Sequence, residues 1–480
     1  MLRRGDVEWL LATHEGGRGP VNWDDETQRT RVGLDLRGAD LRGADLRWLP
    51  LARTLGGLVG GTDEQAEQAA VHLESAELRE ADLRGANLPQ ARLSGAILQE
   101  ANLEGAMLTA TQLNRADLQR AHLEGATLRQ AYLEKADLTG AHLEGAMLSG
   151  AHMAVTILTG AHLEGAILGG ARLEGAFLQR AHLEGARIFG AHLEHATLSE
   201  AYMQGTLLRR THFEGASLGN VHFESTPVPP EDLARIRRWR PDFPEQLPPA
   251  DLRLVFFDAG TNLQGAILAE KSSAGVSLAD VRWGDVNLAV LRWTSGRSKP
   301  LILGDESEAR ALHDPGGKQL SAAARLDAYE GAVRANRQLA LALQAQGLNE
   351  DAARFAYRAQ VLQRIVLRRQ RHLGQWLFSH FLDALAGYGY KPGRSVVAYL
   401  CVVVGFAVAY FELGQVVGPH LSFIGALTFS VTSFHGRGFF PGGVSLDNPI
   451  TQIAALEAVL GLLIEISFIA TFTQRFFGAK

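Results

Sequence analysis

Residues 141–190 read AHLEGAMLSG AHMAVTILTG AHLEGAILGG ARLEGAFLQR AHLEGARIFG, with leucine or a close substitute at every fifth position. Working outward, the register runs unbroken from Leu73 to Phe223 and gives 31 centres. Every centre is leucine except Met153, Ile188, Met203, Phe213 and Phe223. Two residues before each centre stands alanine, replaced by Thr111, Thr156, Thr206 and Thr211 or by Val71 and Val221. Two residues after it glycine is frequent, as at Gly85, Gly105, Gly125 and Gly145. A period of five is neither the 3.6 of a helix nor the 2 of a strand. It asks for a turn every five residues, with one large and one small side chain pointing inward at each step.

The pentads ADLRG at 39–43 and AHLEG at 141–145 resemble the pentapeptide-repeat family. The fold that this resemblance implies is a right-handed quadrilateral β-solenoid. Its coils would hold about 20 residues and stack at roughly 4.8 Å. In such a stack each coil touches only its neighbours, so cutting one inward leucine to alanine costs about 2–5 kcal/mol, locally. Residues 34–46 add a first short stretch of repeats, and 47–70 interrupt it, so 1–70 reads as an N-terminal cap with an insertion and 71–225 as the solenoid.

Bulk properties exclude several classes. The 480-residue chain has a formal net charge of −5, so no basic nucleic-acid footprint is present and no nucleic-acid partner is expected. Some pentapeptide-repeat proteins resemble duplex DNA and bind gyrase, but Arg115, Arg120, Arg172, Arg209 and Arg210 break the acidic face that such mimicry needs. The one cysteine, Cys401, cannot form an intrachain disulfide, which suits a reducing cytoplasm for the repeats. With 52 glycines but only 16 prolines, neither collagen nor ordinary disorder fits. Residues 1–20 lack an apolar run of signal-peptide length, so no secretory cleavage is expected. No phosphate-binding loop, HExxH or nucleophile elbow occurs, so neither an enzyme nor a cofactor is expected.

Positions 20 apart form columns. One carries His122, His142, His162, His182 and later His222; its neighbour carries Glu104, Glu124, Glu144, Glu164 and Glu184. Both are expected to face outward, as a metal ladder, a pH-sensing face or a plain solvated surface. No metal is expected, because a flat exposed ladder lacks a closed tetrahedral pocket.

Prolines cluster from Pro227 to Pro249, so 226–250 reads as a rigid linker. Degenerate repeats return over 251–293 and 294–318 reads as loop. From Ser321 the period turns helical. Tyr329, Val333, Leu339 and Leu343 mark one apolar face; Gly347 ends that helix and Asn349 caps a second, whose face is Ala352, Phe355, Ala359, Leu362 and Val366. An α-helical hairpin over 319–371 follows, with a weak likeness to tetratricopeptide repeats. Trp376, Leu377, Phe381 and Leu385 then form an apolar stripe, read as an interfacial amphipathic helix over 372–394.

The remaining residues, 395–480, read as a membrane domain. The stretches 396–411 and 450–472 reach, with their flanks, the ~20 residues that span a bilayer. Between them 421–434 is too short to span and suits a re-entrant helix. Arg364, Arg368, Arg369, Arg371, Lys391 and Arg394 precede the first span, and Arg475 and Lys480 follow the second, so both termini are expected in the cytoplasm.

Residues 426–438, ALTFSVTSFHGRG, resemble the pore helix and filter of two-helix potassium-type channels. The whole order, repeats followed by a pore-loop pair, resembles a group of bacterial inner-membrane proteins. That resemblance implies a homotetrameric ion channel with a cytoplasmic repeat domain, bathed in membrane lipids. The unidentified protein that the repeats bind would then be a further partner. Its pore and selectivity residues would be Thr432, Ser433, Phe434, His435, Gly436, Arg437 and Gly438, with Glu457, Gly461 and Glu465 lining or gating the second helix. The departures bear on the ion. His435 and Arg437 stand where the family has valine and tyrosine, so potassium selectivity does not follow. A ring of Arg437 side chains on the axis favours anions; Arg437 held behind the filter against Glu457 leaves carbonyls and acidic helices to favour cations, the preferred reading. A membrane-anchored scaffold that conducts nothing is the alternative from another class.

Overall fold

The computed structural model describes residues 3–13, 36, 39–46, 71–269, 275–295, 299–311, 319–416, 421–436 and 448–476. The chain divides into two compact units, Met1–Gln319 and Leu320–Lys480.

In the first unit, helix α1 (Arg4–Thr13) precedes the coil. Each pentad closes a turn: Ala86 N donates to Leu83 O at 2.9 Å, and Gly85 takes φ +60° within it. Parallel bridges pair His72 with Arg92, Glu77 with Ile97, Asp82 with Asn102 and Asn87 with Met107, and then recur 20 residues on. Four faces per coil follow. The coils are laced by backbone bonds such as Leu83 N to Asn102 O, 2.7 Å, and Asn102 N to Ala81 O, 2.9 Å. Centre leucines and the alanines two residues before them fill the interior. Threonines in the alanine row are buried too, and each finds a carbonyl one coil back: Thr111 Oγ1 donates to Leu88 O at 2.7 Å and Thr156 Oγ1 to Leu133 O at 2.8 Å. Those bonds offset the cost of a buried hydroxyl.

Residues 226–250, expected as a rigid linker, instead form a strap folded back along one face of the coil. Strand β1 (Thr226–Pro227) pairs antiparallel with β2 (Gln246–Leu247), closing the strap at its base. Helix α2 (Pro230–Arg237) starts with proline at its first position, where no amide is lost. Ile236, Phe243 and Leu247 are buried, and this apolar surface is what a free linker would have to leave in water. The strap lies over a column of glycines. A Cβ on Gly125 would come 2.0 Å from Trp239, one on Gly145 2.7 Å from Trp239, one on Gly185 2.6 Å from Phe243 and one on Gly205 2.8 Å from Leu247. Beyond the strap the coil resumes where it stopped: Leu207 pairs with Asp251 and His222 with Ile267.

The repeats of 251–293 add bridges from Asp251 to Ser277 and from Phe256 to Arg282. Residues 294–318, expected as loop, contain the pair β3 (Thr294–Ser295) and β4 (Lys299–Pro300) and a helix, α3 (Gly304–Arg310). Asp305 on α3 takes the place of a next coil. Its carboxylate accepts from Leu278 N at 2.5 Å and Ala279 N at 3.3 Å, and burial pushes it up to about 6. At the other end Asp40 bridges to Glu77 and Asp45 to Asp82, so the early repeats stack directly on the main coil; the insertion read at 47–70 lies outside the described residues.

The second unit is helical. Helix α4 (Ala322–Ala345) begins at Ser321, whose hydroxyl accepts from Ala324 N. It ends at Gly347 with φ +76°, where Leu348 N reaches back to Leu343 O at 2.9 Å. Leu348 holds the N-cap position of helix α5 (Asn349–Arg369) without a side-chain cap bond, and Asn349 is its first residue rather than its cap. All the face residues read from the sequence are buried. Helices α6 (Leu373–Ala386), α7 (Pro392–Val416), α8 (Phe423–Phe434) and α9 (Pro449–Phe476) follow. Two stretches, Gly393–Val416 and Pro449–Ile469, are long and apolar enough to cross a membrane. The exposed apolar residues of α6 are Leu373, Leu377, Phe378 and Phe381, whereas Leu385, expected on the same stripe, turns inward against Val403, Phe434 and Ile464.

Candidate functional site

Helix α8 has 12 residues and packs against both α7 and α9. Its start is fixed by Ser422, whose Oγ accepts from Gly425 N at 3.1 Å. Its far end rests on Gly461: a Cβ there would lie 2.0 Å from Phe434 O, so only glycine admits this approach. Tyr399 of α7 packs edge-on against Phe434, with ring centroids 4.8 Å apart. Gly436 follows at φ +65°.

Glu457 joins the three helices. It is fully buried, accepts from Tyr410 Oη of α7 at 2.7 Å, and accepts from Ser430 Oγ of α8. Ser430 Oγ also lies 2.8 Å from Val403 O. A buried carboxylate is tolerable when such donors face it. Arg437, considered as its partner, lies with Gly438 outside the described residues. Among the other expected pore residues, Ser433 and Phe434 are buried. Thr432 folds its hydroxyl onto its own helix, at 2.9 Å from Phe429 O. His435 contacts Glu465, and both side chains are half-exposed. Sequence reading found Glu457, Gly461 and Glu465 by their spacing of four; it missed Tyr410 and Ser430, which no motif marks.

It also missed Asp383 on α6. Tyr357 Oη donates to this carboxylate at 3.0 Å, Arg364 at 3.0 Å and Arg394 at 2.6 Å, so α5, α6 and the start of α7 meet on one acid. Burial pushes the Asp383 carboxyl up, but the bonds from Tyr357 and Arg364 and the charge of Arg394 outweigh it and hold the group below its ordinary value. Arg364 and Arg394, read only as flanking positive charges, are thus bonded within the unit.

On the repeats, the donor atoms of His142, Glu144 and His162 lie within 4.8 Å of one another, as do those of His162, Glu164 and His182. The cation already there is Arg235 of the strap, 2.9 Å from Glu144 and 3.3 Å from Glu164.

Comparison with protein families matches pentapeptide repeats, in eight copies, over residues 76–115, 116–153, 156–194 and 186–224. The chain therefore carries pentapeptide repeats along the stretch where the five-residue register runs. Among solved structures it is similar to HetL, a pentapeptide repeat protein involved in heterocyst differentiation regulation from the cyanobacterium Nostoc sp. strain PCC 7120. The identity is 24% and the TM-score 0.32, covering 60% of this chain and 99% of HetL. Rfr23, a pentapeptide repeat protein from the cyanobacterium Cyanothece 51142, shares 29% identity with a TM-score of 0.16, over 32% of this chain and 88% of Rfr23. QnrB1, a plasmid-mediated fluoroquinolone resistance protein, shares 17% with a TM-score of 0.20, over 40% and 84% respectively. No curated protein matches the chain.

Proposed function

We propose that this chain is one subunit of a tetrameric ion channel of the bacterial inner membrane. In this reading α7 and α9 cross the bilayer, α8 is a re-entrant pore helix, and the repeat-bearing unit is a cytoplasmic sensor or scaffold for a protein partner. The observation that carries the reading is α8 itself. It has 12 residues, too few to span, yet it is bound along both longer helices and ends in a glycine at positive φ. A simple anchor needs no apolar helix that stops part-way. In a bilayer the backbone that follows such a helix must be sheltered by protein or face a water-filled path. Copies meeting on an axis supply that shelter.

Conduction is of cations. Glu465 is half-exposed in a single copy, and a carboxylate at mid-bilayer costs about 2.5–3.5 kcal/mol against lipid, so it faces the aqueous path. Purified protein in planar bilayers is expected to pass cations, and Glu465→Gln to weaken the cation preference. Anion preference abolished by Arg437→Gln would move Arg437 to the axis instead. Silent bilayers from intact oligomers, across voltages, pH values and ions, would overturn the channel.

One observation favours the second reading, a membrane-anchored scaffold. Glu457 finds its donors on Tyr410 and Ser430 within one copy, as a self-sufficient anchor requires. Topology is tested separately. In a Cys401→Ser background, Val416→Cys should react with an impermeant thiol reagent from the periplasmic side. Labelling from the cytoplasmic side alone would sink the pore-loop topology.

A further inference from the structure

Beneath the strap runs a column of stacked imidazoles. His122, His142, His162 and His182 lie ring over ring, with centroids 4.8–4.9 Å apart and planes within 8° of parallel. Each points Nδ1 at the glutamate two residues on: Glu124 at 3.0 Å, Glu144 at 3.3 Å, Glu164 at 3.2 Å and Glu184 at 3.2 Å. One oxygen of each glutamate is used in this way. The other, Oε2, is buried without a hydrogen-bond partner in all four, as it also is in Glu194 and Glu214 away from the strap. Glu144 is 0% exposed and Glu164 5%.

The charged groups that face this column can be named from both sides. From the coil come Glu104, Glu124, Glu144, Glu164 and Glu184, with Tyr202 and Gln204 in the next layer and the Asp82–Arg84 pair in the layer before. From the strap come Asp232, Arg235 and Arg238. Arg235 lies against Glu144, Glu164 and Asp232, and Arg238 lies 2.7 Å from Glu104. Arg240 is paired with Asp242, which also meets Arg187, and Arg237 with Glu245. Arg187 and Arg240 share the single carboxylate of Asp242, and Arg240 also reaches Gly165 O at 2.7 Å; with Arg235 and Arg238, three unbalanced guanidiniums thus meet six carboxylates, and the groups left to offset the difference are imidazoles.

We infer that the strap is a proton-linked clasp: closing it over the coil takes up protons on His122 and His182 of this column, and losing those protons releases it. The closed strap removes water from the glutamates. Buried carboxylates a coil apart repel strongly in a low dielectric, and an imidazolium beside Glu124 and one beside Glu184 reduce the repulsion. Hydrogen bonds to Glu124 and Glu184 hold His122 and His182 above the ordinary imidazole range, despite burial; burial pushes Glu184 upward as well. Those two hydrogen bonds belong to the pentad, but the charge of Asp232 on His182 and the burial of Glu184 come with the strap, and both favour the protonated form. A group raised on closing favours the closed form fully below its open-state value and ceases to do so as pH rises through the closed-state value. The strap is therefore tight in mild acid and loosens above the ordinary imidazole range. The device stands whether or not the chain conducts.

Hydrogen exchange of the full chain in detergent micelles tests it. The amides to follow are Val228, Leu233, Trp239, Arg240 and Phe243, all bonded within the strap; Leu143, bonded to His162 O in the coil, is the reference. Protection of the strap should fall at least about tenfold between about pH 5.5 and pH 8, with the coil unchanged. The double variant His122→Gln, His182→Gln keeps a donor for Glu124 and Glu184 but cannot take up the proton, and should flatten most of that dependence. Asp232→Asn removes one negative charge from the strap side and should raise protection at pH 8; it covers the case in which the double variant fails to fold. Equal strap protection at both pH values, dependence that survives in a folded double variant, or no effect of Asp232→Asn would each overturn the inference.

Discussion

The coil presents the same His–Glu pair on two columns, and only one is covered. On the open column His192 Nδ1 lies 2.9 Å from Glu194 and His212 Nδ1 3.1 Å from Glu214, with the glutamate side chains 26% and 33% exposed. On the covered column the pairs have nearly the same geometry, but Glu144 and Glu164 side chains are 0% and 7% exposed. The pairing is thus a property of the pentad, which sets His and Glu two residues apart on one turn. What each pair does to stability is decided by what lies above it. In water a pair of this kind contributes little; under the strap its charge must be balanced.

The largest test of that contrast is Arg235→Ala. It strips the guanidinium from Glu144 and Glu164 and should destabilise strap docking by about 3 kcal/mol, as for a buried pair left with one partner. Strap amides in hydrogen exchange would report it, and a loss no greater than at an exposed pair would erase the distinction between the columns. Gly125→Ala is next. The new methyl meets Trp239 and the residue must keep φ +64°, so about 2–4 kcal/mol is expected from overpacking and left-handed backbone together. Gly175→Ala on the open column has the same backbone, with only Val155 at 3.8 Å, and should cost about 1–2 kcal/mol in the same thermal unfolding assay. Arg172→Gln, which removes the half-exposed partner of Glu174, should stay within about 1 kcal/mol. A larger loss there would mean that something covers the open column too.

The glycines show what could be read in advance. A glycine after each centre is explained by the positive φ of the turn, and that reading is sound as far as it goes. Yet Arg115, Lys135, Val155 and His195 hold the same left-handed conformation, so the turn tolerates side chains. Gly85, Gly105, Gly125, Gly145, Gly165, Gly185 and Gly205 form the one turn column with glycine in every layer. The excess over the other columns was the mark of a close neighbour, visible only when columns are compared rather than pentads. The interior needed no such comparison, because leucine at a strict interval can only be buried. The faces of α4 and α5 were legible for the same reason. Glu457 was recognisable as an acid in an apolar helix, but Tyr410 and Ser430 lie 47 and 27 residues from it, and pairing at that distance is a matter of packing. Outward carboxylates such as Glu144 are ordinary surface residues until an element encoded dozens of residues later folds over them.

A stack whose layers touch only their neighbours can fray from either end, one layer at a time. The strap changes that arithmetic. It leaves the coil after Phe223 and reaches back as far as Gly105, where Trp239 stands 3.5 Å from the site of a Cβ. Layers that are strangers in the ladder thus share one fastening. A crack that opens at Val71 can run freely through the first layers, but to pass Gly105 it must begin to lift the strap. Residues 105–205 should accordingly come apart as a single block, in one cooperative step, while the layers before them melt piecemeal.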